Sequence, residues 1–301
     1  MKQLIPHFFY SNYFVGSCVV ALSIESNLQQ GLSLNHPLYY LFTFSASIFY
    51  YTQAYTAENN SAPINERAKW YIDWQKAIRI SQSTLGILSI TSAIILLKTF
   101  ITPLLSLNLF GFCCCLIFPI MAFLYYGSIS PNNSRHPLRN IGWLKPFVIG
   151  FVWTGVVVLY PMIFHSIETN TAFQMSANAY WLFLINFLFI TVLCILFDIK
   201  DHIADHNGQI KTFVVQFGLK KTGYFILFPI ILLGYLCGVL FFINAAFSMV
   251  QGLINTIPFV LLIMVTWSMQ RKQTILYYLA IIDGLMLVKA VCGIISKYVL
   301  K

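Results

Sequence analysis

Charge is what this sequence has least of. Asp, Glu, Lys and Arg make up 9% of its 301 residues, against roughly 25% in soluble domains, and no hydrophilic stretch is long enough to form a domain in water. A soluble globular fold is excluded, because no water-facing surface can be built from so few charges. There is no fixed-period repeat and no low-complexity tract, which excludes a solenoid or a disordered linker protein. The seven cysteines (Cys18, Cys113, Cys114, Cys115, Cys194, Cys237 and Cys292) lie inside apolar runs without metal-ligand spacing to a histidine pair, so they read as small packing residues. The net charge of +9 has no basic stripe on a soluble face behind it, and nucleic acid is therefore not expected as a partner. Acidic residues number only nine, and no aspartate occurs ahead of Asp73.

What the chain does have is apolar length. It is 58% hydrophobic with a mean hydropathy of +0.76. A lipid bilayer offers backbone amides no partners, so only helices or closed barrels span it, and the apolar runs here are continuous rather than alternating. The predicted fold class is all-α: a polytopic membrane helical bundle of about nine transmembrane helices, forming a single domain over 1–301. The windows run approximately from Tyr10 to Ser26, Pro37 to Thr56, Ala77 to Leu97, Pro103 to Tyr125, Lys145 to Phe164, Asn178 to Phe197, Gly223 to Phe242, Gly252 to Trp267 and Thr274 to Ser296. The first is read as a retained span rather than a signal peptide, since eight more follow it.

Basic residues set the orientation. One alternating set of segments holds fourteen of them: Lys2, Arg67, Lys69, Lys76, Arg79, Arg135, Arg139, Lys145, Lys200, Lys211, Lys220, Lys221, Arg271 and Lys272. The opposite set holds Lys98, Lys297 and Lys301, with Lys289 inside the last span. Basic residues are retained on the cytoplasmic side, so the N-terminus and the two long polar loops, Ala57 to Lys76 and Tyr126 to Trp143, are expected there.

Three of the nine acidic residues stand together in Asp198-Ile-Lys200-Asp201-His202-Ile-Ala-Asp205-His206. Spacings of three, four and seven put Asp198, Asp201 and Asp205 on one face if the sixth span continues through them as a helix. Like charges stacked at a helix end repel, and a cation relieves them. Carboxylate oxygens favour hard ions, and Mg2+ commonly takes one or two carboxylates together with substrate phosphates. The bland reading is a solvated turn neutralised by Lys200 and Lys211. His202 and His206, at i and i+4, also offer a transition-metal face. Asp283 and Lys289 lie within the ninth span, where ionisable groups are costly. Six residues apart, they are expected to point to different sides and find separate partners. Glu25 and Glu168, near outer loops, have no evident task.

The segment Asp198-Ile-Lys-Asp201-His-Ile-Ala-Asp205-His-Asn-Gly208-Gln209-Ile-Lys211-Thr212-Phe-Val-Val-Gln-Phe-Gly218 resembles the second aspartate-rich motif of the UbiA family of intramembrane prenyltransferases. Asp201 and Asp205 match the motif's DxxxD pair, Asp198 its upstream acidic or amide position, and Lys211-Thr212 and Gly218 its tail. The family's Gly between the pair and the basic residue is displaced to Gly208, with Gln209 in the expected place. Trp143 to Trp153 with Pro161 looks like the family's fifth span. The resemblance implies a helical bundle around a cavity and transfer of an isoprenoid chain from a prenyl diphosphate to a lipophilic or aromatic acceptor in the membrane. By the same resemblance Asp201 and Asp205 are the catalytic pair, and Asp198, Asp201 and Asp205 hold Mg2+. Lys200, Lys211, Arg135, Arg139 and Glu58 would bind substrate. The family's first motif should fall within Tyr50 to Ser61, where Glu58 is the one carboxylate. That departure leaves a second reading open, a catalytically inactive UbiA-fold protein that binds or moves a lipid or isoprenoid.

Overall fold

The computed structural model describes residues 4–57, 66–126 and 138–298, and every regular element in them is helical. The helices are α1 (Leu4–Tyr10), α2 (Tyr13–Gln29), α3 (Pro37–Ala57), α4 (Glu66–Asp73), α5 (Gln75–Leu105), α6 (Leu109–Tyr126), α7 (Lys145–Glu168), α8 (Ala177–Asn207), α9 (Phe213–Asn244), α10 (Met249–Ser268) and α11 (Ile275–Tyr298). Each apolar window of the sequence falls on one of these, leaving α1 and α4 as short additional helices. Among the described residues, six helices are long and apolar enough to cross a bilayer, namely α5 and α7 to α11. The α2 and α6 helices are shorter, and α3 is rich in Tyr, Ser and Thr. The chain is an integral membrane protein.

Two boundaries differ from the sequence reading for local reasons. The first span starts at Tyr13 rather than Tyr10, because Asn12 adopts a left-handed backbone (φ 66°) that separates α1 from α2. The third span runs on through Pro103, which had been read as a helix start. A break at Phe100 (φ −117°, ψ 22°) opens the ladder where Pro103 lacks its N–H. Two other prolines follow wide turns. In α7 a π turn over Gly155–Leu159 precedes Pro161, and in α9 one over Gly223–Leu227 precedes Pro229.

The bundle closes as a ring. The α2 helix packs on α3, α7 and α11, and α7, α8, α9, α10 and α11 follow one another as neighbours. Val192, Ile195 and Leu196 of α8 are completely enclosed by its neighbours. By contrast α5 exposes Ile80, Ile87, Ile90 and Ile94 in one row, and α10 exposes Leu253, Val260, Met264 and Trp267. These are the faces that lipid covers. Small residues allow close approach on the inner side, where Gly150 of α7 leaves room for Thr191 of α8.

The ring is joined between α2 and α11 by an ion pair that the sequence reading missed. Glu25 is buried, and its carboxylate accepts from Lys289 Nζ at 3.1 and 3.2 Å. Gln29 donates beside it to Gly293 O (2.8 Å) and Ser296 Oγ (3.2 Å). Glu168 also has a task, accepting from the backbone of His36 (2.6 Å) and from Asn35 Nδ2 (3.3 Å) to fix the α2–α3 turn. Lys289 thus pairs with Glu25 and not with Asp283.

Candidate functional site

One end of the bundle collects the start of α2, the end of α3, α4, and the starts of α5, α7 and α11 together with the end of α8. The α8 helix is N-capped by Ser176 and runs unbroken to Asn207, so the aspartates occupy its last turns. Their spacing of three and four then sets them along one face. Asp198 is buried (1% exposed), Asp205 nearly so (7%), and Asp201 sits half-buried at the rim. His202 and His206 point outward, beside a shallow depression also lined by Val214 and Val215.

Lys145, the first residue of α7, reaches into the cluster. Its Nζ donates to Asp198 Oδ1 at 2.7 Å and stands 3.9 Å from Asp205 Oδ2, too far for a hydrogen bond. Lys200 pairs with Asp201 Oδ1 at 2.7 Å. Two buried carboxylate oxygens, Asp198 Oδ2 and Asp205 Oδ2, accept no hydrogen bond. Arg139 lies half-buried on the turn Leu138–Asn140, and its charge acts on Asp205. Lys211 is exposed in the turn between α8 and α9. Glu58 and Arg135 lie outside the described residues. Among the described residues no group of three His, Cys, Asp or Glu converges on a metal position.

The turn after Asp205 explains the displaced glycine. Gly208 has an ordinary φ of −79°, whereas Gln209 is left-handed (φ 55°). The Gln209 N–H bonds His206 O (3.1 Å) and the Ile210 N–H bonds Asp205 O (2.8 Å), the Schellman arrangement that ends many helices. Gln209 therefore performs the turn that favours glycine. Replacing Gln209 with Gly is expected to stabilise the protein by about 1 kcal/mol, read as a rise in melting temperature in detergent. A second unusual backbone, Gly218 (φ 76°, ψ 164°), breaks the first turns of α9 in a region that side chains rarely enter.

A contact the sequence did not reveal ties Lys145 to this turn. A Cβ on Gly142 would lie 2.3 Å from Lys211 C and 2.4 Å from Thr212 N, both backbone atoms. The loop entering α7 is thus seated on the tail of the aspartate segment, and Thr212 beneath it is fully buried as the N-cap of α9. Gly142→Ala is expected to cost about 1–3 kcal/mol, the range for overpacking, and to displace Lys145 from Asp198. Thermal unfolding together with accessibility of the Lys145 amine to an acylating reagent checks it.

Across this end, where a first acidic motif was expected, the buried described carboxylate is Asp283 of α11, which lies within reach of the Arg67 and Lys200 charges. Glu66 and Asp73 are exposed. The buried charge of α4 is Arg67, which donates to Tyr10 O (2.8 and 3.1 Å) and Asn12 Oδ1 (2.7 Å) and holds α4 on the α1–α2 break. Tyr51 faces inward, where its hydroxyl accepts from the Trp153 indole of α7. A pocket of about 160 Å³ lies outside this layer, between α1, α4 and α5, lined by His7, Trp70, Trp74 and Gln82 among others.

No protein-family model matches the chain, and no curated protein matches it significantly. A solved structure does, that of a digeranylgeranylglyceryl phosphate synthase in membranes, with a TM-score of 0.52 over 99% of each chain at 16% identity. That protein is a UbiA-family intramembrane prenyltransferase. The helical bundle foreseen from the Asp198 to Gly218 segment is accordingly the one found: this chain has the UbiA-type fold.

Proposed function

We propose that the chain transfers an isoprenoid chain from a prenyl diphosphate to a lipophilic or aromatic acceptor within the membrane. The observation that carries this reading is the aspartate face of α8, with two buried carboxylate oxygens lacking a donor and basic groups around it, at the end of an apolar bundle. The donor set suits a Mg2+ that is completed by substrate phosphate, which needs only one or two carboxylates, better than an all-protein cage. Asp201 and Asp205 would hold such an ion, and Asp198 would support them from beneath. When bound, the metal supplies charge stabilisation to the diphosphate leaving group.

The chain's own residues do the rest. Lys200, Lys211, Arg139 and Arg135 offer donors to phosphate oxygens as the allylic C–O bond breaks and negative charge moves onto pyrophosphate. Glu58 remains a proposed substrate contact. Aromatic faces near the cluster, such as Phe197 and Tyr278 with ring centroids 5.7 Å apart, can stabilise the allylic cation. The acceptor's nucleophilic atom then forms the new bond to carbon and loses its proton. The preponderance of basic residues at this end of the bundle supports its placement on the cytoplasmic side.

A second reading, a UbiA-fold protein that binds isoprenoid without transfer, has one observation in its favour: Glu66 and Asp73 of α4 are exposed while Arg67 is the buried charge of that helix. Mass spectrometry of a membrane lipid extract incubated with purified protein, Mg2+ and prenyl diphosphates separates the two. Transfer predicts an acceptor heavier by one prenyl chain. Donor bound and recovered intact, with no adduct, supports the second reading.

A further inference from the structure

The aspartate cluster already contains a cation, and that cation belongs to the chain. We infer that Lys145 occupies the counter-ion position of the cluster until a diphosphate arrives and then transfers to the phosphate oxygens, so that a divalent metal enters together with diphosphate and not before it. This inference rests on the prenyltransferase reading of the same site. The Lys145 ammonium touches Asp198 and lies near Asp205, but one ammonium cannot satisfy both carboxylates. Asp198 Oδ2, on a side chain only 2% exposed, remains without a donor and marks the deep side of the cluster.

The local charges fit an exchange. Asp198, Asp201 and Asp205 are opposed by Lys145 and Lys200 in contact and by Arg139 at longer range, leaving no net negative charge to hold a divalent ion. Transfer of Lys145 to a ligand leaves one net negative charge, concentrated at Asp198 and Asp205. The geometry fits as well. The Lys145 backbone is fixed by Pro146 in the first turn of α7 and by Gly142 seated against Lys211 and Thr212, while its four-carbon stem is flexible and a fifth of the side chain is exposed at the mouth of the site. An anion arriving among Lys200, Lys211 and Arg139 therefore competes directly for the ammonium.

The test is Mn2+ titration of the full-length protein in detergent, followed by electron paramagnetic resonance, with and without inorganic pyrophosphate. Wild type is expected to bind Mn2+ tightly only with pyrophosphate. Lys145→Gln should raise Mn2+ affinity without pyrophosphate by about tenfold or more, the effect of removing one close charge, and should weaken pyrophosphate binding. Lys145→Arg, which keeps the charge, should resemble wild type. Unchanged Mn2+ affinity in Lys145→Gln overturns the inference but leaves the site reading intact, provided Asp201→Asn with Asp205→Asn still abolishes binding in the presence of pyrophosphate. If Lys145→Gln does not fold, wild type alone decides: Mn2+ bound equally well without pyrophosphate overturns the inference. Absence of both Mn2+ and pyrophosphate binding in every protein that folds removes the site reading and the inference with it.

Discussion

Replacing Asp201 and Asp205 together by asparagine is expected to lower Mg2+-dependent pyrophosphate release by about a thousandfold. A metal-held leaving group contributes several kcal/mol to such a transition state, and about 4 kcal/mol corresponds to three powers of ten. The substitution conserves shape and removes charge from the rim of the site, where Asp201 is half-buried and Asp205 has an oxygen without a donor. It relieves repulsion between carboxylates, so the protein should be no less stable while its activity falls. His202→Asn with His206→Asn is the matching control. Both imidazoles face outward and their loss should leave the rate within about twofold, an effect of well under 1 kcal/mol. A comparable loss in both double variants would shift the site to the histidine face.

Lys289→Met is expected to be the most destabilising of the single changes considered. It strips the partner from a Glu25 carboxylate that is only 3% exposed, and removing one member of a buried ion pair costs about 3–5 kcal/mol. For a chain of this size that corresponds to a fall of roughly 10 °C in melting temperature. The expected signature is recovery in the double variant Glu25→Leu, Lys289→Met, because two apolar side chains leave no stranded charge. Gly293 faces the same carboxylate, with a Cβ there placed 2.4 Å from Glu25 Cγ. Thermal unfolding of the three variants in one detergent checks the cycle. Destabilisation equal to the sum of the singles would contradict a direct pair.

The contrast between these two sites shows what a single sequence makes legible. The Asp198, Asp201 and Asp205 face lies along one helix, where spacing alone fixes the geometry, and α8 does continue through it to Asn207. The Glu25–Lys289 pair joins residues 264 positions apart. Its formation depends on how far α2 and α11 are rotated about their axes, which hydropathy does not specify. Lys145 was visible only as one more basic residue counted for orientation, because its 2.7 Å contact with Asp198 spans 53 positions. Gln209 was legible as a departure from a motif but not as a left-handed residue, since only the backbone shows that the turn survived the loss of its glycine. Gly142 gave no signal at all, its meaning being the backbone on which it rests.

The side of the site opposite α8 is the point on which function turns. Glu58 falls outside the described residues, and of the described carboxylates nearby Glu66 and Asp73 are exposed while Asp283 is buried beside the Arg67 and Lys200 charges. A chain with one aspartate motif can still hold a metal if the substrate supplies the remaining oxygens, and the Lys145 exchange offers a route by which metal and diphosphate arrive together.

The most direct measurement is pyrophosphate release by the detergent-purified protein, supplied with a mixture of prenyl diphosphates and Mg2+, with and without a membrane lipid extract as the source of acceptor. The account predicts release that requires both Mg2+ and the extract. No release from a preparation that demonstrably binds prenyl diphosphate would contradict it.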